Sequence, residues 1–335
     1  MPATFDMSLA AMREYQGRNP RPEDFDDFWD AGLREMRALD PEIELIPADF
    51  QVPFARCLDL YFTGVGGARI HAKLVRPLDL SQSRPAVVLF HSYAESSGDW
   101  VDKLTYASLG YTVAALDVRG QGGQSQDITP RTGNTLRGHI VRGLADSPNR
   151  LFYREVYLDT AQLAGIVMAM EGVDENRVAA IGMSQGGGLA LACAALEPRI
   201  RQAVSMAPFL SDYRRVWEMD LARDGYAQLQ EYFRRFDPLH ERQDETFLGL
   251  GYIDVQHLCS RIRADVLMTV GLMDTVCPPS TQFAAYNKIR SEKSMLLYPD
   301  FGHEIPIGAR DRIFQFIRRL SDTSDIQSSA VQDAE

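Results

Sequence analysis

Six short, continuous apolar runs govern what this chain can become. They lie at 85–91 (PAVVLFH), 112–118 (TVAALDV), 177–183 (RVAAIGM), 202–207 (QAVSMA), 264–271 (ADVLMTVG) and 294–298 (SMLLY). A strand with one wet face alternates apolar and polar residues. A continuous apolar run is a strand buried on both faces, the mark of a parallel sheet. Segments with helical spacing separate the runs, at 98–109, 155–171, 186–196, 278–290 and 308–320. This strand–helix alternation predicts an α/β fold with a doubly wound, mostly parallel sheet. Ligands of such sheets bind at the carboxyl ends of the strands.

Other segments depart from this rhythm. Residues 21–39 open with Pro22 and acidic residues, then repeat Phe25, Phe28, Trp29, Leu33 and Met36 at helical spacing, which predicts an N-terminal helix. Residues 45–76 alternate around Gly64, Gly66 and Gly67 and predict antiparallel strands about a tight turn. Residues 120–154 read as a long loop leading into a helix. Residues 210–258 are aromatic and charged, and far longer than an ordinary connection. They read as a helical insertion, either a lid or a subunit contact. The expectation is one domain over 1–320, with 1–44 as a helical N-terminal extension and 321–335 as a disordered polar tail.

Bulk properties narrow the function classes. The 335 residues carry a formal net charge of −11. An acidic surface repels phosphate backbones and anionic lipid, so neither nucleic acid nor a membrane surface is expected as a partner. The N-terminus, MPATFDMSLAAMREYQG, has no basic start followed by an apolar run, so no secretory signal is expected. No 18-residue apolar stretch is present to span a membrane. Cys57, Cys193, Cys259 and Cys277 are scattered, without zinc-type spacing, and so are the histidines. Reduced thiols in a cytoplasmic protein without a metal site are the expectation.

The chemistry is carried by Gly182-Met183-Ser184-Gln185-Gly186, a G-x-S-x-G pentapeptide. The pattern alone recurs by chance; its context makes it specific. It follows the apolar run 177–183 and precedes a Gly-rich apolar helix, the strand–turn–helix setting of a nucleophile elbow. A serine hydroxyl needs a base beside it at neutral pH. In this arrangement the partners follow in the order Ser, acid, His. His240 and His257 lie in or beside the insertion, whereas His303 follows the last strand in the loop PDFGHE. The acid belongs on the turn after the preceding strand, where ADVLMTVGLMD ends in Asp274. Asp265 begins that strand, at the wrong end of the sheet, and Asp300 is too close to His303 in sequence to orient it. Asp274 is therefore the expected orienter of the imidazole. Donors to the oxyanion are expected from the N–H of Gln185 and from the loop after 85–91, with Tyr93 as the second. His91 is expected to be structural.

Taken together these segments resemble carbohydrate esterase family 7, the acetyl xylan esterases and cephalosporin C deacetylases of the α/β-hydrolase fold. Three motifs of that family occur in order: Arg119-Gly120-Gln121, Gly182-Met183-Ser184-Gln185-Gly186 and His303-Glu304. SGDW (97–100), ALDVRGQGGQS (115–125), VYLDT (156–160), SQGGGLALA (184–192) and VGLMDTVCPPSTQFAAYN (270–287) look alike too. The resemblance implies Ser184, Asp274 and His303 as catalytic triad, and the Tyr93 and Gln185 amides as oxyanion hole. Arg119 and Gln121 would be structural residues beneath the site. It further implies removal of acetyl groups from short acylated sugars and cephalosporin C-like esters without a cofactor. A ring-shaped homohexamer, built partly by the N-terminal strands and the insertion, is implied as well. Ser92 stands where the family usually has the glycine of an H-G-Y phrase, and Glu95 follows. That departure bears on acyl and leaving-group range more than on reaction type. Two other readings stay open: a peptidase or general carboxylesterase on the same fold, and an inactive hydrolase used as a binding module.

Overall fold

The computed structural model describes residues 5–132, 139–221 and 224–322. Its nine strands are β1 (Glu44–Pro47), β2 (Ala55–Thr63), β3 (Arg69–Pro77), β4 (Arg84–Phe90), β5 (Thr112–Leu116), β6 (Val173–Met183), β7 (Gln202–Met206), β8 (Asp265–Gly271) and β9 (Lys293–Tyr298). They form one sheet in the order β1-β2-β3-β5-β4-β6-β7-β8-β9. The pairs from β5 through β4 to β9 are parallel, and β1, β2 and β3 add on antiparallel. This is an α/β-hydrolase fold. All six apolar runs became the parallel strands.

The helices are α1 (Leu9–Glu14), α2 (Phe25–Arg37), α3 (Leu104–Ala107), α4 (Phe152–Met168), α5 (Gln185–Leu196), α6 (Tyr213–Glu218), α7 (Ala227–Phe236), α8 (Gln243–Gly251), α9 (Val255–Leu258), α10 (Pro279–Lys288) and α11 (Ala309–Arg318). Alternate residues of the strands feed two cores. Val87, Ala179, Ile181, Val204 and Leu267 pack with Ile313, Phe316 and Ile317 of α11. Ala86, Val88, Val178, Ala180, Ala203 and Val266 point to the other face, with α4 and α5. Burying each Phe or Leu contributes roughly 1.5–3 kcal/mol, so covering both faces is what holds the sheet.

α2 buries the expected stripe of Phe25, Phe28, Trp29, Leu33 and Met36. Trp29 stacks on Tyr157 of α4 at 5.7 Å. The helical segment expected over 98–109 is present but shorter, a 3-10 turn, Trp100–Lys103, running into the single turn α3. The buried Lys103 ammonium donates to the carbonyls of Ser97 and of Asp99, the latter at 2.7 Å. That contact ties the loop before Trp100 to the start of the helical segment.

The 210–258 segment is helical, as α6 to α9, and closes around its own aromatics. Trp217 meets Phe233 at 4.7 Å, and Phe233 meets Phe247 at 5.8 Å. From residue 323 onward, the tail expected to be disordered lies outside the described residues.

Candidate active site

Ser184 sits between β6 and α5 with φ +57° and ψ −119°. A non-glycine residue there is strained, and the neighbours hold it. Its N–H donates to Met206 O at 2.8 Å, and its carbonyl accepts from Gly188 N–H at 3.1 Å and Phe209 N–H at 3.0 Å. The flanking glycines have a steric cause. A Cβ on Gly182 would lie 2.1 Å from Gly186 O, and one on Gly186 would lie 2.0 Å from Phe90 O.

Ser184 Oγ lies 2.9 Å from His303 Nε2, and His303 Nδ1 lies 2.8 Å from Asp274 Oδ2. With Nδ1–H donated to the carboxylate, Nε2 is the acceptor for the serine hydroxyl. The three groups come from the carboxyl ends of β6, β8 and β9. Asp274 is fully buried, and the His303 side chain is 18% exposed. Asp274 Oδ1 accepts the N–H groups of Val276 at 2.9 Å and Cys277 at 2.8 Å, fixing the carboxylate in an Asx turn. Asp265 pairs with Arg201 at the opposite end of β8. His240 packs among Trp217 and Phe233, and His257 lies against Phe25.

The thiol of Cys277 lies near this pair: among the described residues, Asp274, Cys277 and His303 bring ligand-type atoms within 4.8 Å of one another. The group does not fit a metal centre. A tetrahedral cation about 2 Å from each ligand sets its ligands roughly 3.3 Å apart, whereas Nδ1 and Oδ2 are 2.8 Å apart with a proton between them. The arrangement fits a proton relay.

Tyr93 lies in the loop after β4, and Gln185 opens α5, where the N–H has no partner within the helix. The two loops are tied together. Gln185 Nε2 donates to His91 O at 3.4 Å, and the Ser92 hydroxyl donates to Met183 O at 3.3 Å. Thus Ser92 bridges to the nucleophile elbow. Glu95 is exposed. His91 braces the same loop: Nδ1–H donates to Ser92 O at 2.7 Å, and Nε2 accepts Val118 N–H at 3.0 Å. Burial depresses its pKa, which keeps it neutral for both bonds.

Gln121 continues the network. Its Oε1 accepts Ala94 N–H at 2.9 Å, and its Nε2 donates to Gln185 Oε1 at 2.7 Å, where Tyr153 OH also donates at 2.8 Å. Gly120, at φ +62°, turns the chain between Gln121 and Arg119. Arg119 is buried and clasps Asp159 through two bonds of 2.7 Å.

One contact had no sequence signal. Gln228 of α7 donates from Nε2 to Tyr93 OH at 3.2 Å, while its Oε1 accepts Ile140 N–H at 2.5 Å. The insertion therefore reaches the Tyr93 loop through one buried amide.

Beneath these loops, His71 bridges Asp117 at 2.6 Å and Asp59 at 2.8 Å. Burial opposes its charged form, but the hydrogen bonds to Asp117 and Asp59 outweigh it and raise the pKa above 6.5. Asp117 is held well below the usual carboxylate range: burial acts upward, and bonds from His71, Ser97 N–H and Gln124 N–H outweigh it. The Asp117 contribution is present above the ordinary value of 3.8 and falls away in acid. The His71 contribution is complete below 6.5 and is lost as pH rises through the raised value. Denaturant unfolding should therefore show His71→Gln to be about 1.5–3 kcal/mol less stable than wild type at mildly acidic pH. The gap should narrow in alkali, and an equal gap at both pH values would contradict the assignment.

Comparison with known proteins fits this geometry. Residues 1–320 match the acetyl xylan esterase (AXE1) family model. The chain is 60% identical to acetyl xylan esterase 1 from Thermoanaerobacterium sp. JW/SL YS485, whose structure superposes with a TM-score of 0.93 over 94% of this chain and 99% of that one. An acetyl xylan esterase from Paenibacillus sp. R4 is 35% identical, with a TM-score of 0.89 over 93% of this chain and 99% of that one. The acetyl esterase Axe7A of Xylanibacter ruminicola is 26% identical over 318 residues, 89% of this chain and 70% of its own length. The chain belongs to the acetyl xylan esterase family of carboxylic ester hydrolases.

Proposed function

We propose that the protein removes acetyl groups from acetylated xylo-oligosaccharides and similar small esters through an acetyl-Ser184 intermediate. The observation that carries this reading is the unbroken hydrogen-bonded series from Ser184 Oγ through His303 to buried Asp274. His303 Nε2 takes the Oγ proton as Oγ attacks the acetyl carbonyl. The Tyr93 and Gln185 N–H groups hold the oxyanion. Collapse of the intermediate expels the sugar oxygen, which takes the proton from Nε2. Water then attacks the acetyl-serine and gives its proton to Nε2. Acetate leaves, and the proton returns to Oγ. Asp274 holds the imidazole tautomer and stabilises the imidazolium throughout.

The rings beside the nucleophile support a preference for short acyl groups. Phe209, bonded through its N–H to the Ser184 carbonyl, meets the Tyr93 ring edge-on at 5.7 Å. The Tyr93 hydroxyl is anchored by His139 N–H at 3.1 Å and by Gln228. A fixed aromatic wall leaves little room for a long chain. Across p-nitrophenyl acetate, butyrate and octanoate, kcat/KM is expected to fall by about 10-fold or more at each step. Release of acetate from acetylated xylo-oligosaccharides and from cephalosporin C follows as the substrate test. A preference for octanoate would favour a general carboxylesterase instead.

A further inference from the structure

We propose that Gln282 is a positioning residue for the triad acid, holding Asp274 Oδ2 as a shared acceptor and setting the pH range over which His303 works. This rests on the triad reading above. Gln282 lies on α10 and is fully buried. Its Nε2 donates to Asp274 Oδ2 at 3.2 Å and to Cys277 O at 2.6 Å. Two acceptors face this nitrogen, so both amide protons are used and the amide orientation is fixed. Oδ1 is taken by the amides of Val276 and Cys277, so Oδ2 is the oxygen that His303 and Gln282 share.

The cost of this placement argues that it is not merely packing. Gln282 Oε1 is buried and has no hydrogen-bond partner among the described residues. An orphaned buried acceptor destabilises a fold, and an apolar side chain of the same shape would avoid it. What the amide supplies is a donor to a buried carboxylate, which favours the ionised form. Removing it leaves Oδ2 to His303 alone. The carboxylate becomes more basic, draws more strongly on Nδ1–H, and the imidazole holds its proton to higher pH. The 274–277 turn also loses its tie to α10.

α10 is anchored in turn by the N-terminal segment. Ser280 N–H donates to Asp6 Oδ2 at 2.8 Å, and Asn287 Nδ2 donates to the carbonyls of Met12 at 2.9 Å and Tyr15 at 2.7 Å. Gln282 thus presents its amide from a braced helix.

The test uses Gln282→Met, which keeps an unbranched chain of similar length without donors. Expected are a kcat about 10- to 100-fold below wild type, a KM within about twofold, and an acid limb of kcat/KM displaced to higher pH. Thermal stability should stay close to wild type. In an Asp274→Asn background the same substitution should cost less than about twofold more, since a residue acting through Asp274 has nothing left to position. Gln282→Glu is the second variant should the first fail to fold. Its carboxylate faces Oδ2, and the acid limb should move upward further. An unchanged kcat and pH profile, a loss of stability alone, or full additivity with Asp274→Asn would overturn the proposal. Ser184→Ala assayed alongside separates the two readings. If it retains activity the triad itself fails; if it is inactive while Gln282→Met matches wild type, only the present inference fails.

Discussion

Alanine at position 184 is expected to lower the turnover of p-nitrophenyl acetate about 10⁶-fold. The substitution removes one oxygen and leaves the backbone undisturbed. The strained turn at φ +57° is held by bonds to Met206, Gly188 and Phe209 that do not involve the side chain. Stability should therefore be unchanged, and binding of an acetylated sugar should persist, because only the attacking atom is gone. The proposed oxyanion donors remain, and in hydrolases of this type such donors and substrate binding supply a residual acceleration of about 10³–10⁴ over water. Steady-state kinetics with active-site titration read the effect. A variant with a tenth of wild-type turnover and no contaminating esterase would remove Ser184 from the chemistry.

The second large effect is on the fold. Arg119→Met is expected to destabilise the protein by about 3–5 kcal/mol near neutral pH, the usual cost of stranding a buried charge partner. Arg119 is wholly buried. It clasps Asp159 with two bonds of 2.7 Å, meets Glu155 at 2.9 Å, and donates to Val65 O at 3.2 Å. Burial already pushes Asp159 up to about 6 even with the guanidinium in place. Without it, the carboxyl must take up a proton or remain charged in an apolar setting. A group whose folded-state pKa is raised favours folding less as pH rises, so the deficit should shrink towards acid and grow towards alkali. Glu155 also holds Arg131 and Thr129, so loosening should spread into the long loop before α4. Denaturant unfolding of Arg119→Met and of Arg119→Met/Asp159→Leu would show it. Partial recovery in the double variant is the mark of an unpaired charge, and a loss below about 1 kcal/mol would contradict the role.

Much of this was legible in the sequence because the parallel strands are buried on both faces. Burial of that kind turns each strand into an uninterrupted run such as PAVVLFH, and the six runs fixed the sheet before any contact was known. Ser184 was legible for a steric reason. Gly182 and Gly186 leave no room for a Cβ, and that requirement is written into the pentapeptide. Asp274 and His303 could be ranked above Asp265 and Asp300 because strand direction assigns residues to one end of the sheet or the other. Contacts between residues far apart in sequence leave no such trace. Gln228 and Tyr93 are distant in sequence and meet only because the insertion folds back over the β4 loop. Gln282 was visible within VCPPSTQFAAYN, but nothing in helical spacing says that its amide faces Asp274. The 3-10 character of Trp100–Lys103 is likewise invisible, because a buried lysine bonding to carbonyls leaves no trace in apolar periodicity.

The covalent acetyl-serine proposed at position 184 is tested most directly by mass spectrometry of the enzyme quenched in acid during p-nitrophenyl acetate hydrolysis. Nitrophenolate is a good leaving group, so acylation is expected to outpace deacylation and the acyl-enzyme to accumulate. One added acetyl group per chain is expected, located by fragmentation to Ser184 and absent from Ser184→Ala. An acetyl group at another residue that survives in Ser184→Ala, with turnover intact, would contradict it.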